Sequence, residues 1–180
     1  TGTHPTTQLS LELMEKVFDG GQKTEDGGKS SVYGHPSSVI DVGCGSGILS
    51  IAAIKLGADT VLGVDIDEES IFNSRENADT NEVEGELVFG VGSVEEILDG
   101  KFPLRKAPLV VANILAPVLI RLFEAGMAEL IEDKGVIILS GILQEQEQNV
   151  IEAGQAQGLR MNERIQMGDW VALTMSRLTD

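Results

Sequence analysis

The chain has 180 residues, about one domain's worth, and its 42% apolar and 23% charged residues exclude a disordered chain. Thirteen Lys+Arg against 29 Asp+Glu give a formal charge of −16, which counts against a nucleic-acid or anionic-membrane surface and suits a basic partner. The single cysteine, Cys44, excludes an internal disulfide and fits a reducing, cytoplasmic setting; residues 107–120, the longest mostly apolar run, fall short of the roughly 20 needed to span a bilayer.

In chain order, residues 6–18 predict an opening helix, with Leu9, Leu11, Leu13, Met14 and Val17 supplying its apolar surface. Residues 20–36 hold five glycines and two serines with little to bury, so a flexible exposed loop is expected there. Short β-branched runs then recur at 38–42, 60–66, 86–91, 108–113 and 135–140. Longer segments of helical period lie between them: Leu49, Ala52, Ala53 and Leu56 make one stripe, and Leu119, Leu122, Phe123 and Leu130 another. Strands alternating with helices predict an α/β fold with a mostly parallel sheet and helices on both faces. Residues 160–167 and 169–178, joined at Gly168, read as an antiparallel hairpin that closes the sheet.

The most informative segment runs Val39-Ile40-Asp41-Val42-Gly43-Cys44-Gly45-Ser46-Gly47-Ile48-Leu49. A strand feeds a turn with three glycines and then a helix, whose first N–H groups and dipole favour a negative or electron-rich ligand group. Gly63-Val64-Asp65-Ile66-Asp67 follows, with Asp65 at a strand's carboxyl end, where a carboxylate can accept both hydroxyls of a ribose. Asp67, ahead of Glu68-Glu69-Ser70, reads as a helix N-cap. Together, turn and acid describe a nucleoside-binding domain. The spacing is G-x-G-x-G, with Ile48 where a dinucleotide fingerprint has its third glycine. A pyrophosphate would sit poorly beside Asp41, whereas the ammonium and sulfonium of S-adenosylmethionine are well served by carboxylates. S-adenosylmethionine is therefore favoured at Asp41, Gly43, Gly45, Gly47 and Asp65. An NAD-dependent oxidoreductase or nucleotide sensor, and a non-catalytic cofactor-binding module, remain the alternatives.

These residues resemble the class I S-adenosylmethionine-dependent methyltransferases, and more narrowly the ribosomal protein L-eleven methyltransferases of the PrmA type. Thr1-Gly2-Thr3-His4-Pro5-Thr6-Thr7 is similar to that family's amino-terminal motif, and the glycine turn to its cofactor loop. Val110-Val111-Ala112-Asn113-Ile114-Leu115-Ala116 is similar to its catalytic-strand motif, and Ser140-Gly141-Ile142-Leu143 adds a weaker match. The resemblance implies a Rossmann-like, seven-stranded sheet with an antiparallel last strand. It also implies that Thr7, Gly43, Asp65 and Asn113 contact S-adenosylmethionine. The implied acceptors are protein amines, lysine side chains or an amino terminus, of a large-subunit ribosomal protein. The chain opens at Thr1 inside a motif, so the expectation is a catalytic domain separated from the family's amino-terminal substrate-recognition domain.

Methyl transfer from a sulfonium needs alignment of a nucleophile and exclusion of water, with no metal. The two histidines, His4 and His35, accompany no His/Cys cluster, so no metal site is expected. Asn113 ends an apolar strand and is the candidate for holding the amine through its side-chain carbonyl. The segment lacks the aromatic of the Asn-Pro-Pro-Tyr pattern that stacks planar acceptors, which points to an aliphatic amine. His4 reads equally as a lid over the cofactor or a plain loop residue; Trp170 is expected to pack the hairpin on the core, and Cys44 to be a small buried side chain.

Overall fold

Strands and helices alternate throughout the computed structural model, which describes residues 2–20 and 34–178. The elements are α1 (Pro5–Asp19), β1 (Ser38–Val42), α2 (Ile48–Lys55), β2 (Thr60–Asp65), α3 (Glu68–Thr80) and β3 (Glu86–Val91). They continue with α4 (Val94–Leu98), β4 (Ala107–Asn113), α5 (Ala116–Glu124), β5 (Ile131–Leu143), α6 (Glu147–Ala156), β6 (Leu159–Met167) and β7 (Trp170–Arg177). The loop expected over 20–36 lies mostly outside the described residues.

The seven strands lie in the order β3-β2-β1-β4-β5-β7-β6. Pairings from β3 to β5 are parallel, and β7 runs antiparallel to both β5 and β6. The expected α/β sheet with an antiparallel last strand is therefore present. Both faces are covered, because successive strand side chains point to opposite sides. Val39, Leu109, Val111, Val136 and Ile138 pack with Leu13 and Met14 of α1 and Leu49 and Ala53 of α2. The alternate residues Ile40, Val42, Val110, Ala112, Ile137 and Leu139 pack with Leu119 and Phe123 of α5 and Val150 of α6. Each such aliphatic side chain, once buried, contributes roughly 1.5–3 kcal/mol of transfer free energy.

From β1 the chain moves outward through β2 to β3, then returns to place β4 on β1's other side, with Val39 opposite Leu109 and Asp41 opposite Val111. Strand order reverses at β1/β4, and a crevice opens at the carboxyl ends of strands at such a point. The glycine turn and Asn113 sit there on neighbouring strands.

Two expectations change. The stripe running from Leu119 to Leu130 is not one helix: Gly126, at φ +99°, ends α5's continuation, and a short 3₁₀ turn, Met127–Leu130, follows. β5 also outruns its expected limits of 135–140. It continues past Ser140 because a bulge absorbs the change of register with β7: Leu139 faces Leu173 and Ile142 faces Val171. Three steps on β5 thus oppose two on β7, with Gly141 at φ +83° inside the bulge.

Candidate functional site

On the β1/β2 side the crevice floor is backbone. Gly43, Gly45 and Gly47 have φ of +72°, +52° and +78°, left-handed values that a side chain resists. Space also matters at two of them. A Cβ on Gly43 would lie 2.5 Å from Ile114 Cδ1, and one on Gly47 2.9 Å from Phe89 and Ser74, whereas one on Gly45 would meet nothing within 4 Å. The loop is tight underneath and open above. The Gly43 and Cys44 N–H groups both donate to the Val64 carbonyl, at 2.8 and 2.9 Å. Asn77 of α3 donates to the Ser46 carbonyl at 2.9 Å.

Asp65 joins this loop to the next strand. Its Oδ2 accepts the Gly45 N–H at 2.9 Å and its Oδ1 the Asp67 N–H at 2.9 Å. A carboxylate offers about four lone-pair positions, so both oxygens retain capacity for further donors. Asp67 caps α3 as expected, accepting the Glu69 N–H at 3.2 Å and the Ser70 hydroxyl at 3.0 Å. Two apolar side chains stand open at the neighbouring strand ends: Ile66 is 80% exposed and Val91 50%.

Asp41 and Cys44 lie beneath the loop. Asp41 is 2% exposed, and its Oδ2 accepts the Ser50 hydroxyl at 2.6 Å. Burial raises its pKa from 3.8 to about 6, against the lowering effect of Ser50 and with a smaller raising effect from the charge of Asp65. The sequence reading put Asp41 among ligand-facing residues. Its burial leaves almost none of it to touch a ligand, although its negative charge lies close below the loop. Cys44 is buried, and desolvation, then the charges of Asp41 and Asp65, push its thiol pKa upward, so it stays an unreactive thiol.

The β4/β5 side is built differently. A cavity of about 340 Å³ is lined by His4, Thr6, Asn113, Ile114, Leu115, Gly141 and Trp170. Asn113 is the last residue of β4, and Leu115, 61% exposed, precedes α5, whose Pro117 fits the first helical turn. His4 caps α1, its Nδ1 accepting the Thr6 N–H at 3.3 Å, and its ring meets Trp170 edge-on at 5.3 Å between centroids. Trp170 does pack partly on the core beneath α1, as expected, but it also walls this cavity. An aromatic face therefore stands beside Asn113 after all, contributed by β7 and the amino-terminal motif instead of by the 113–116 turn.

Of the residues singled out from sequence, the structure gathers Gly43, Gly45, Gly47 and Asp65 on one side and Asn113, His4 and Trp170 on the other. The two halves touch where Ile114 packs over Gly43. Thr7 is 7% exposed on the first turn of α1, its N–H bonded to the His4 carbonyl, and it does not line the cavity. Sequence reasoning gives no role to Ser50, and it shows Thr6, Ile114, Leu115 and Gly141 only as members of matched motifs, not as cavity walls. For Ser50 the signal was present, since a lone hydroxyl in the run Ile48-Leu49-Ser50-Ile51 has to find a buried acceptor. Among the described residues no helix is long and apolar enough to cross a membrane, and no group of three His, Cys, Asp or Glu could hold a metal ion.

Comparison with known proteins converges on one family. The sequence profile described as ribosomal protein L11 methyltransferase (PrmA) matches residues 1–178. A ribosomal protein L11 methyltransferase of Halalkalibacterium halodurans is 38% identical over 173 residues, covering 96% of this chain and 49% of its own length. That of Geobacter metallireducens is 40% identical over 177 residues, covering 96% and 50%. The crystal structure of ribosomal protein L11 methylase from Lactobacillus delbrueckii subsp. bulgaricus superposes with a TM-score of 0.80 at 32% identity, covering 98% of this chain and 80% of that one. The chain spans about half the length of the curated relatives it matches. With a profile that runs almost end to end and a shared architecture, this chain belongs to the ribosomal protein L11 methyltransferase (PrmA) family.

Proposed function

We propose that this chain is the S-adenosylmethionine-binding, catalytic part of a protein N-methyltransferase that modifies amines of ribosomal protein L11. The observation that carries the reading is the pairing of a loop-anchored carboxylate, Asp65, with a strand-end amide, Asn113, across the Gly43–Ile114 contact.

The crevice residues fit S-adenosylmethionine. Asp65 has spare acceptor capacity for two ribose hydroxyls, and the open space above Gly45 admits a ligand close to the main chain. Ile66 and Val91 offer apolar surface for a flat base. The negative charge of Asp41 below the loop favours a cationic ligand group and opposes a pyrophosphate, which sets the NAD reading aside. When bound, S-adenosylmethionine supplies an electrophilic methyl group on a positively charged sulfur.

The chain's own task is to deliver a neutral amine in line and dry. A lysine near pKa 10.4 loses its proton at a cost of about 4 kcal/mol near neutral pH, and an amino terminus near 7.8 at about 1. The cavity beside Asn113 lowers that cost by partly desolvating the ammonium against the apolar surfaces of Trp170 and Leu115. The Asn113 side-chain carbonyl then accepts a hydrogen bond from the amine and fixes its direction. A chain with a charge of −16 also suits a basic ribosomal protein as partner, which fits work in the cytoplasm or in an organelle with its own ribosomes.

The test is a set of thermal shifts with S-adenosylmethionine, S-adenosylhomocysteine and NAD, followed by labelled methyl transfer to recombinant ribosomal protein L11. A shift with the two adenosyl compounds and label in L11 supports the reading. A shift with NAD alone overturns it, and binding without transfer, even when the chain is joined to a relative's amino-terminal region, supports a non-catalytic module instead.

A further inference from the structure

We infer that Ser140 is a positioning residue that holds the first turn of α1 against the end of β4 and so sets the shape of the acceptor cavity; this inference rests on the methyl-transfer reading above. Ser140 is fully buried and stands in register with Asn113. Its hydroxyl donates to the Thr6 carbonyl at 2.9 Å, across 134 residues of sequence, and its own carbonyl accepts the Ile114 N–H at 3.1 Å. One residue thereby ties together the cavity walls contributed by Thr6 and Ile114. Gly141 beside it is a third wall, where a Cβ would lie 2.5 Å from the Ile114 carbonyl oxygen.

Strand alternation places the tie. Val136 and Ile138 face α1, and Ser140 continues that side of β5. The bulge between Leu139 and Ile142 then turns Ile142 to the opposite core, so Ser140 is the last β5 residue of regular alternation on the α1 side. A second hydroxyl, from Ser10, donates to the same Thr6 carbonyl at 2.8 Å, but that bond is internal to α1. Ser10 and Ser140 are equally buried and share an acceptor, yet only Ser140 connects α1 to the sheet. Because His4 caps this same turn and meets Trp170, the turn's position is also the position of the cavity's aromatic wall. Displacements of about 1 Å in a positioned reactant cost on the order of a hundredfold in rate.

Trp170 is the chain's one tryptophan, so its fluorescence reports on this wall without any need for turnover. In the 180-residue chain, Ser140→Ala should raise acrylamide quenching of Trp170 about twofold. It should also lower kcat for methyl transfer to recombinant ribosomal protein L11 at least fivefold, with S-adenosylhomocysteine affinity held within twofold. Ser10→Ala should leave quenching and kcat near parental values, and Ser140→Cys, a weaker donor of similar size, should fall between. The inference is overturned if Ser140→Ala behaves as Ser10→Ala does, if quenching changes while kcat does not, or if cofactor affinity drops as far as kcat. Should the parental chain transfer no methyl group, the methyl-transfer reading fails by itself, and quenching alone then decides whether Ser140 holds the turn.

Discussion

The two halves of the crevice are made in opposite ways. The β1/β2 half takes its loop and its carboxylate from residues 43–67, a single stretch of three glycines, Asp65 and backbone amides, braced from outside by Asn77 and Phe89. The β4/β5 half draws on His4 and Thr6, on Asn113 to Leu115, on Gly141 and on Trp170, four segments that meet only through the sheet and α1. One half is local and polar; the other is long-range and largely apolar. A local site holds its shape through turn geometry, whereas a long-range one depends on each element being docked, so substitutions in the two halves should fail differently.

The largest expected contrast separates Asn113 from Asp65. Asn113→Ala should reduce methyl transfer to ribosomal protein L11 by a hundredfold or more, the scale seen when one positioned polar group is removed from a reacting centre. Its effect on S-adenosylhomocysteine affinity should be the smaller of the two variants. Asp65→Ala should instead weaken that affinity by about 2 kcal/mol or more, since the Gly45 and Asp67 N–H groups lose their acceptor along with any ribose hydroxyl. Calorimetry and single-turnover transfer on both variants check this. Equal losses in both measurements for both variants would dissolve the division of labour.

Legibility in the sequence follows the same division. The glycine turn and Asp65 could be read because the residues that define them, and the backbone N–H groups that Asp65 accepts, lie within one short stretch, and the strand alternation that carries them is a property of local pattern. β1 and β3 fell within their expected limits for that reason. In the sequence Trp170 reads chiefly as a packing residue, because nothing local says that β7 brings it to 5.3 Å from His4. The end of β5 is not legible in its own residues, since a bulge is defined by register with another strand. Leu130 reads as part of the α5 stripe because an apolar spacing survives a change of helix type that Gly126 imposes.

Beneath the local half, Asp41 provides a sharper test of how rigid that half is. Its folded pKa, about 6, is above the unfolded 3.8, so the folded chain holds this proton more tightly. The associated stability is fully present below pH 3.8 and is lost as pH rises through about 6, a change of up to about 3 kcal/mol. Asp41→Asn keeps an acceptor for the Ser50 hydroxyl and removes the charge. In urea unfolding from pH 4 to 7, the parental chain should therefore lose stability relative to this variant as pH rises. A constant difference between the two would mean that the loop yields and lets water reach Asp41.

The smallest expected effect concerns the other tie on α1. Lys16 lies 2.6 Å from Glu163 of β6 and 3.2 Å from Glu12, and the hydrogen bond to Glu163 is the main cause of its raised pKa. By distance alone this is a shorter contact than the one from Ser140 to Thr6. Yet both partners are nearly half exposed, with side chains 46% and 42% accessible, so water and salt screen the attraction, and two long side chains lose freedom to make it. Lys16→Gln should cost at most about 0.5 kcal/mol in thermal unfolding at low salt and nothing measurable in 1 M salt, where the screening length is about 3 Å. Trp170 quenching should stay at its parental value throughout. A larger loss, or one that survives salt, would mean that α1 is held from its solvent side and not through the buried hydroxyl at the crevice, and the long-range half would then owe its shape to a different contact.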